Sequence, residues 1–129
     1  MSTRLLLITN DVQMMSLVED LLTRYAFEIV VKNTLRKAAH FLVRETTPQL
    51  VLLDLSVHRS DGIDFLAKMR SLQRFAQLPI LVTVVEPDPK IIKDVLQAGA
   101  NRYLTKIFLP TNLLRTLEEM HDKTLAGKK

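Results

Sequence analysis

The sequence predicts an α/β fold in which a five-stranded parallel sheet is doubly wound, with helices on both of its faces. Short apolar runs alternate five times with longer stretches in which apolar residues recur every three to four positions. A continuous apolar run is typical of a strand covered on both faces, and the longer spacing is typical of an amphipathic helix. Strands that alternate with helices in this way indicate βαβ units with right-handed crossovers, which produce a parallel sheet.

Five strands are predicted from the apolar runs and from the polar residues that end them. The third run is the most informative, because it holds one carboxylate, Asp54, among five apolar residues. A buried carboxylate is costly unless it lies where the strand leaves the sheet, and ligands bind at that edge of open α/β sheets. Asp54 is therefore the first candidate functional residue, with a solvated strand-end aspartate as the alternative. The predicted strands span residues 5–8, 27–31, 50–55, 80–85 and 102–104.

Each predicted helix follows a strand and begins near a residue that suits a helix N-terminus. Asn10 or Asp11 caps the first helix, because these side chains accept hydrogen bonds from free backbone N–H groups. Gly99 ends the fourth helix, as glycine does at many helix C-termini. The other helix starts are assigned to Asn33 or Thr34, to Asp61-Gly62 after a loop at residues 56–60, to Asp88, and to Pro110-Thr111.

One stripe of apolar residues on each helix is predicted to pack against the sheet. The stripes follow from the helical spacing of three to four residues. Their members are Met14/Met15, Val18, Leu21/Leu22 and Tyr25; Leu35, Ala38/Ala39 and Leu42; Phe65/Leu66, Met69 and Leu72; Ile91/Ile92, Val95/Leu96 and Ala98; and Leu113/Leu114, Leu117 and Met120.

The composition is that of a globular protein with room for one domain. The chain has 129 residues, of which 47% are hydrophobic, and this length can bury a core without disulfides or metals. It contains no cysteine, which excludes disulfide and thiol chemistry and is compatible with a reducing cytoplasm. No apolar run reaches membrane-spanning length. We therefore expect a cytoplasmic protein without a membrane partner.

The charge of the chain says little about its partners. The formal net charge is +4, but lysine and arginine are spread along the sequence. This distribution is more typical of a mixed solvated surface than of a nucleic-acid footprint. Residues 1–122 are expected to form one domain, because no repeat or linker interrupts them. Residues 123–129 are expected to form a basic C-terminal tail.

The loops that follow parallel strands open at one edge of the sheet, so three groups of polar residues are expected to meet there. They are Thr9-Asn10-Asp11 after the first strand, the segment from Asp54 to Ser56 after the third, and Lys106 after the fifth. A carboxylate that faces an ammonium group has two interpretations. The two form a structural ion pair, or the carboxylate reacts and the cation neutralises charge on a phosphoryl group.

Five motifs, in this order and spacing, resemble the receiver domain of two-component response regulators. The resemblance covers residues 4–121, nearly the whole chain, and it implies a flavodoxin-like (βα)5 fold with strand order 2-1-3-4-5. It also implies a role in phosphorelay signal transduction. The motifs are LVLLD at residues 50–54, Asp61-Gly62, LPILV at residues 78–82, Ala98-Gly99-Ala100, and YLTK at residues 103–106.

The resemblance assigns roles at the sheet edge. Asp54 occupies the phosphoacceptor position, Lys106 the position of the cation, and Ser56 the position whose backbone carbonyl ligates a metal. Formation of an aspartyl phosphate needs an ionised carboxylate, a divalent metal and a cation. Magnesium is therefore the candidate cofactor, with Asp11, Asp54 and Ser56 as the candidate ligands.

The acidic pair of the family is replaced in this chain. Its positions, directly after the first strand, hold Thr9 and Asn10, and Asp11 comes one residue later. Magnesium prefers carboxylate oxygens and water in octahedral geometry. A hydroxyl and an amide lower the negative charge that attracts the ion. A one-residue shift that brings Asp11 into the pocket remains the alternative.

The switch residues of the family are also changed. Its switch hydroxyl lies five residues after the proline of the fourth strand, where this chain has Val84. Thr83 is adjacent, but its hydroxyl is expected to point away from the phosphoryl site because side chains alternate along a strand. Tyr103 matches the rotating aromatic of the family, although a tyrosine that packs on the sheet edge is the simpler interpretation.

Two loops depart from the family as well. Val57-His58 replaces a Met-Pro pair, and Ile107 replaces the proline after Lys106. A cis bond before Ile107 would cost roughly 2.5–4 kcal/mol, so a trans bond is expected. The direction of the lysine side chain then stays open. No two of the three histidines have the spacing of zinc ligands.

The sequence favours a receiver-fold signalling module with a degenerate phosphorylation pocket, which is no enzyme and works mainly by binding proteins. The expected partners are a histidine kinase, an output domain or a second copy of the chain. They would contact the surface of the fourth helix, fifth strand and fifth helix, which is otherwise an ordinary solvated face. The second hypothesis is a working phosphoacceptor with Mg²⁺, and the third is a basic nucleic-acid-binding module, which would bind DNA with steep salt dependence. The basic residues of that surface are Lys90, Lys93, Arg102 and Arg115.

Overall fold

The computed structural model describes residues 2–56 and 59–126, the last five of them as backbone alone. Five strands form one parallel sheet in the order β2-β1-β3-β4-β5, which confirms the predicted fold class and strand order. The strands are β1 (Thr3–Ile8), β2 (Phe27–Lys32), β3 (Leu50–Asp54), β4 (Ile80–Val84) and β5 (Arg102–Thr105).

Five helices alternate with the strands, as predicted. Two short 3₁₀ turns, Gln73–Phe75 and Lys106–Phe108, precede β4 and the last helix. The helices are α1 (Val12–Leu22), α2 (Leu35–Arg44), α3 (Arg59–Ser71), α4 (Pro89–Ala98) and α5 (Leu109–Ala126).

The sheet separates two apolar layers, because successive side chains of a strand point to opposite faces. In β1, Leu6 and Ile8 pack in the layer with α2, α3 and α4. Leu5 and Leu7 pack in the layer with α1 and α5. Every residue of β3 is buried, so the central strand is covered on both sides and ends in Asp54.

Three of the predicted N-terminal helix caps are observed. Asp11 caps α1, since its side chain accepts hydrogen bonds from the N–H groups of Gln13 and Met14. Thr34 caps α2 and Asp88 caps α4 in the same way. The cap at Asp11 fixes the start of α1 directly beside the carboxyl end of β1.

Four sequence predictions about helices are corrected. Helix α1 ends at Leu22, so Tyr25 lies beyond it and is 49% exposed instead of packed on the sheet. Leu72 lies one residue past α3 and is also 49% exposed. Residues 59 and 60 belong to α3 and not to the predicted loop. Helix α5 continues to Ala126 and takes in part of the predicted tail.

A guanidinium group joins the end of α3 to the loops around β4. The side chain of Arg70 donates hydrogen bonds to the carbonyls of Gly99 at 2.8 Å and Phe75 at 2.7 Å, and to Asn101 Oδ1 at 2.8 Å. Asn101 Oδ1 also accepts from the N–H of Ile80, at the start of β4. Burial lowers the pKa of the Arg70 guanidinium below its ordinary value.

Gly99 allows the approach of Arg70. Its φ angle of 120° lies in the region that L residues rarely adopt, and a Cβ at this position would overlap Cγ of Arg70. We expect Gly99→Ala to lower the free energy of unfolding by about 1–3 kcal/mol, because the backbone is strained and the arginine must move. Urea denaturation followed by circular dichroism measures the change.

Gly62→Ala is the matched control. Gly62 lies inside α3, where alanine is favoured, and the added Cβ would lie 3.1 Å from Cδ1 of Leu55. The gain in helix propensity of about 1 kcal/mol offsets this contact, so stability should change little. Equal losses for both variants would contradict the role assigned to Gly99.

Candidate functional site

The carboxylate of Asp54 lies at the carboxyl end of β3 and is 1% exposed. Its Oδ2 accepts a hydrogen bond from Thr9 Oγ1 at 2.6 Å and lies 2.9 Å from Nζ of Lys106. Its Oδ1 accepts from the backbone N–H of Ser56 at 3.1 Å and from the Ser56 hydroxyl at 2.8 Å. The Thr83 hydroxyl, at 3.4 Å, completes the set. Hydrogen bonds to a full set of donors compensate the large cost of burying a carboxylate.

The ammonium group of Lys106 links three oxygens of the site. Its Nζ lies 2.9 Å from Asp54 Oδ2, 3.1 Å from Asp11 Oδ2 and 3.0 Å from Ser56 Oγ. These oxygens match the three N–H donors of the group. Burial alone would lower the pKa of Lys106, but the hydrogen bonds to Asp54 and Asp11 and their negative charges outweigh it and raise the pKa. Lys106 is therefore charged at neutral pH.

Asp11 serves both the helix and the site. Its Oδ1 caps α1, and its Oδ2 accepts from Lys106 at 3.1 Å. The hydrogen bond from Lys106 is the main cause of a lowered pKa of the Asp11 carboxyl, and backbone hydrogen bonds from Met14 and Gln13 add to it. The N–H of Asp11 also donates to Thr9 Oγ1 at 3.0 Å. Thr9 donates to Asp54 directly, and Asp11 contacts both Thr9 and Lys106, so these two residues hold the loop after β1 at Asp54.

The expectation for Thr83 is wrong. Its hydroxyl points to the carboxylate of Asp54, because the parallel register pairs the two residues directly and puts their side chains on the same face of the sheet. Leu52 and Leu81, two residues earlier in each strand, both pack in the layer of α1 and α5. The register between β3 and β4 decides this orientation, and the sequence alone does not contain it. Alternation along β4 indicated only that Thr83 and Val84 face opposite sides.

Val84 holds the position of the switch hydroxyl without a hydroxyl. It is buried at 3% exposure, and it lines a cavity of about 470 Å³ beside Ser56. Arg59, at the start of α3, and Glu86 line the same cavity. An isopropyl group at this place cannot donate a hydrogen bond to a ligand oxygen.

The remaining predicted residues lie at the margin of the site. Asn10 is exposed and forms no side-chain hydrogen bond with the described residues. Tyr103 is 38% exposed on the edge strand β5, and its role, as a rotating aromatic or as a tyrosine on the sheet edge, stays a prediction. The peptide bond before Ile107 is trans, as expected. Val57 and His58 lie outside the described residues.

The acidic groups of the site do not assemble into a metal-ligand cluster. Within residues 2–56 and 59–126, no group of three His, Cys, Asp or Glu side chains could hold a metal ion. The role of the Ser56 carbonyl as a metal ligand stays a prediction. The same part of the chain has no helix that is long and apolar enough to cross a membrane.

Comparisons with known proteins agree with the fold. The family model of the response regulator receiver domain matches residues 5–118. The chain is similar to chemotaxis protein CheY of Bacillus subtilis (strain 168), with 25% identity over 119 residues, which cover 92% of this chain and 98% of that protein. It is also similar to CheY1 of Helicobacter pylori, with 27% identity over 116 residues, which cover 89% and 94%.

Solved structures give the same picture of the fold. The chemotaxis response regulator CheY4 of Vibrio cholerae has a TM-score of 0.84 to this chain at 21% identity, covering 93% of this chain and 99% of that one.

The ion pair between Asp11 and Lys106 predicts how stability depends on pH. The pKa of Asp11 lies below its ordinary value of 3.8 in the folded chain, so the pair stabilises above that pH and is lost as pH falls through the folded pKa. The pKa of Lys106 lies above 10.5, so its contribution persists below that pH and is lost as pH rises through the folded value. We expect the stability difference between wild type and Asp11→Asn to be constant near neutral pH and to shrink below about pH 4.

Urea denaturation at a series of pH values measures this difference. Asparagine keeps the helix cap, so the variant removes only the charge. Asp64→Asn, on the exposed face of α3 and without an ion pair to the described residues, is the control and should change stability little at any pH. A difference for Asp11→Asn that does not vary with pH would contradict the ion pair.

Proposed function

The chain belongs to the response regulator receiver domain family of two-component signalling, and we propose that it is a degenerate member that acts mainly by binding other proteins. In two-component systems, receiver domains interact with histidine kinases and output domains. The proposal is that this domain makes such contacts without a phosphoryl group on Asp54. It is then a binding module and not an enzyme.

The observation that carries the proposal is the internal neutralisation of Asp54. The carboxylate is almost fully buried and accepts from Thr9, Ser56, Thr83 and Lys106. Thr9 stands where the family has an acidic residue, and its hydroxyl donates to Asp54 in place of repelling it. A nucleophile must present a free lone pair, and both oxygens of Asp54 are already engaged.

The oxygen ligands that the site offers argue against a resident magnesium ion. Mg²⁺ takes carboxylate oxygens and water in octahedral geometry, but the two carboxylates of this site, Asp11 and Asp54, both bind the ammonium group of Lys106. The acidic-pair positions supply only the Thr9 hydroxyl and the exposed Asn10 amide. A cation of the protein itself therefore neutralises the charge that would attract the metal, and these residues do not fit Mg²⁺.

The changed switch position supports the same proposal. Val84 cannot bond to a phosphoryl oxygen, and the neighbouring hydroxyl, that of Thr83, already donates to Asp54. Tyr103 is already partly exposed on β5. The surface of α4, β5 and α5 would then present one constant form to its partners. On this surface Lys90 and Lys93 are exposed and Arg102 pairs with Glu119 at 2.7 Å.

A working phosphoacceptor remains the second candidate, and one observation favours it. Lys106 Nζ lies 2.9 Å from Asp54, which is the relation that the cation and the phosphoacceptor of the family require. If Lys106 released Asp11, that carboxylate would supply one acidic ligand at the edge of the pocket. This candidate requires that magnesium compete successfully with the ammonium group.

Magnesium binding distinguishes the two candidates. We expect no saturable amide shifts at Asp11, Asp54, Ser56 or Lys106 when the folded domain is titrated with Mg²⁺ to millimolar concentration, and none on later addition of beryllofluoride, an acylphosphate mimic. Nuclear magnetic resonance of the isotope-labelled domain measures these shifts. Saturable shifts at these residues in the wild-type chain would overturn the degenerate pocket and favour the phosphoacceptor.

A variant that restores a carboxylate at the acidic-pair position serves as the positive control for the magnesium titration. Asn10→Asp returns one carboxylate to the acidic-pair position, and we expect it to gain saturable Mg²⁺-dependent shifts at the site. Asn33→Asp makes the same change at another exposed asparagine and is the matched control. Equal responses of the two variants would indicate diffuse electrostatics and not a metal site.

A further inference from the structure

The fold assembles a basic groove along α2 that lies outside the sheet-edge site. We call it the α2 groove and define it by four cationic residues, one histidine, one phenylalanine and one acid. It has a volume of about 550 Å³. Its members are Lys32, Arg36, Lys37, Arg44, His40, Phe41 and Glu45.

The charge of the α2 groove differs from that of two other cavities among the described residues. The groove between α1 and α5, of about 420 Å³, carries two acids, Asp20 and Glu118, and two arginines. The cavity beside Asp54 carries Glu86 and Asp88 against one arginine. Among these three, the α2 groove alone has a clear excess of positive charge, which attracts an anionic ligand.

Most cations of the α2 groove have no anionic partner within the described part of the chain. Arg36, Lys37 and Arg44 are exposed and form no ion pair or side-chain hydrogen bond with the described residues. By contrast, the guanidinium groups of Arg70 and Arg102 are hydrogen-bonded within the domain. The groove therefore holds hydrogen-bond donors that are free to bind a ligand.

The spacing of the basic side chains fits an extended chain. Arg36, His40 and Arg44 are four residues apart on α2 and form one row, with steps of about 6 Å along the helix. Alternate side chains of an extended peptide are about 6.6 Å apart. Carboxylates at every second residue of such a peptide would meet successive members of the row.

The aromatic content of the groove argues against single-stranded nucleic acid. Binding of single strands relies on exposed aromatic rings on which bases stack. Phe41 is 7% exposed, and its ring is already contacted by Arg4 and Lys32, whose cationic groups lie 5.3 and 5.5 Å from its centroid. The groove thus offers charge without a stacking surface.

We propose that the α2 groove is a docking site for an extended acidic peptide segment of a partner protein, with Arg36 and Arg44 as its main anchors. Charge complementarity supports this occupant, because the groove sets four cationic residues against one acid, Glu45, and the peptide supplies further carboxylates. Arg36 and Arg44 bind carboxylates through two parallel hydrogen bonds each. The site does not involve Asp54 and is independent of the state of the phosphorylation pocket.

Binding of a labelled model peptide tests the proposal. The probe is a fluorescein-labelled peptide that alternates glutamate with threonine, and fluorescence anisotropy measures its affinity for the intact chain. We expect saturable binding that the charge-reversing pair Arg36→Glu/Arg44→Glu weakens by about tenfold or more, because two charged contacts become repulsive. The milder pair Arg36→Gln/Arg44→Gln removes the two charges without reversing them and should also weaken binding. It tests the proposal if the first pair does not fold, and circular dichroism checks the fold of both.

Three controls decide the outcome. Arg24→Glu/Lys68→Glu reverses the charge of two exposed residues outside both the α2 groove and the surface of α4, β5 and α5, and it should leave the affinity nearly unchanged. A peptide with glutamine in place of glutamate should not bind. The proposal would be overturned by equal losses of affinity in the two charge-reversed pairs, or by no binding of the acidic peptide at millimolar concentration. Tighter binding of oligothymidine of the same length would also overturn it, in favour of nucleic acid.

Discussion

The buried carboxylate of Asp54 is the constraint on which the rest of the site depends. A charge at the end of a fully covered strand is tolerated only when it is paired and hydrogen-bonded. The loops after β1, β3 and β5 each supply donors to it, through Thr9, Ser56 and Lys106. The three loops are thereby joined at one edge of the sheet, and Asp11 connects them to the start of α1.

In this arrangement, the residues at the positions that the family uses for phosphoryl transfer bind one another. A phosphorylation pocket holds several carboxylates that repel one another until a metal binds. Here the hydroxyl of Thr9 and the ammonium of Lys106 both donate to Asp54. The charge of Asp54 is thus paired within the protein, and on this ground we propose that the domain acts by binding other proteins.

Much of the fold follows from the sequence, but the finer geometry does not. Hydrophobic periodicity predicted all five strands and five helices, and the strand-edge rule predicted that Asp54 and Lys106 would meet. Thr83 was misassigned because its orientation depends on the register between two strands that are distant in sequence. The α2 groove was not predicted, because lysine and arginine are spread along the sequence. Only the fold brings Lys32 of β2 next to the basic residues of α2.

The stability of Asp54→Asn tests most directly whether the site is neutralised internally. If Asp54 is the acceptor for Thr9, Ser56 and Lys106, its replacement removes a satisfied ion pair, and urea denaturation at neutral pH should show a loss of about 1–3 kcal/mol in the free energy of unfolding. If instead the site were an acidic pocket awaiting a metal, removal of one carboxylate would relieve repulsion. An unchanged or higher stability of the variant would contradict the account.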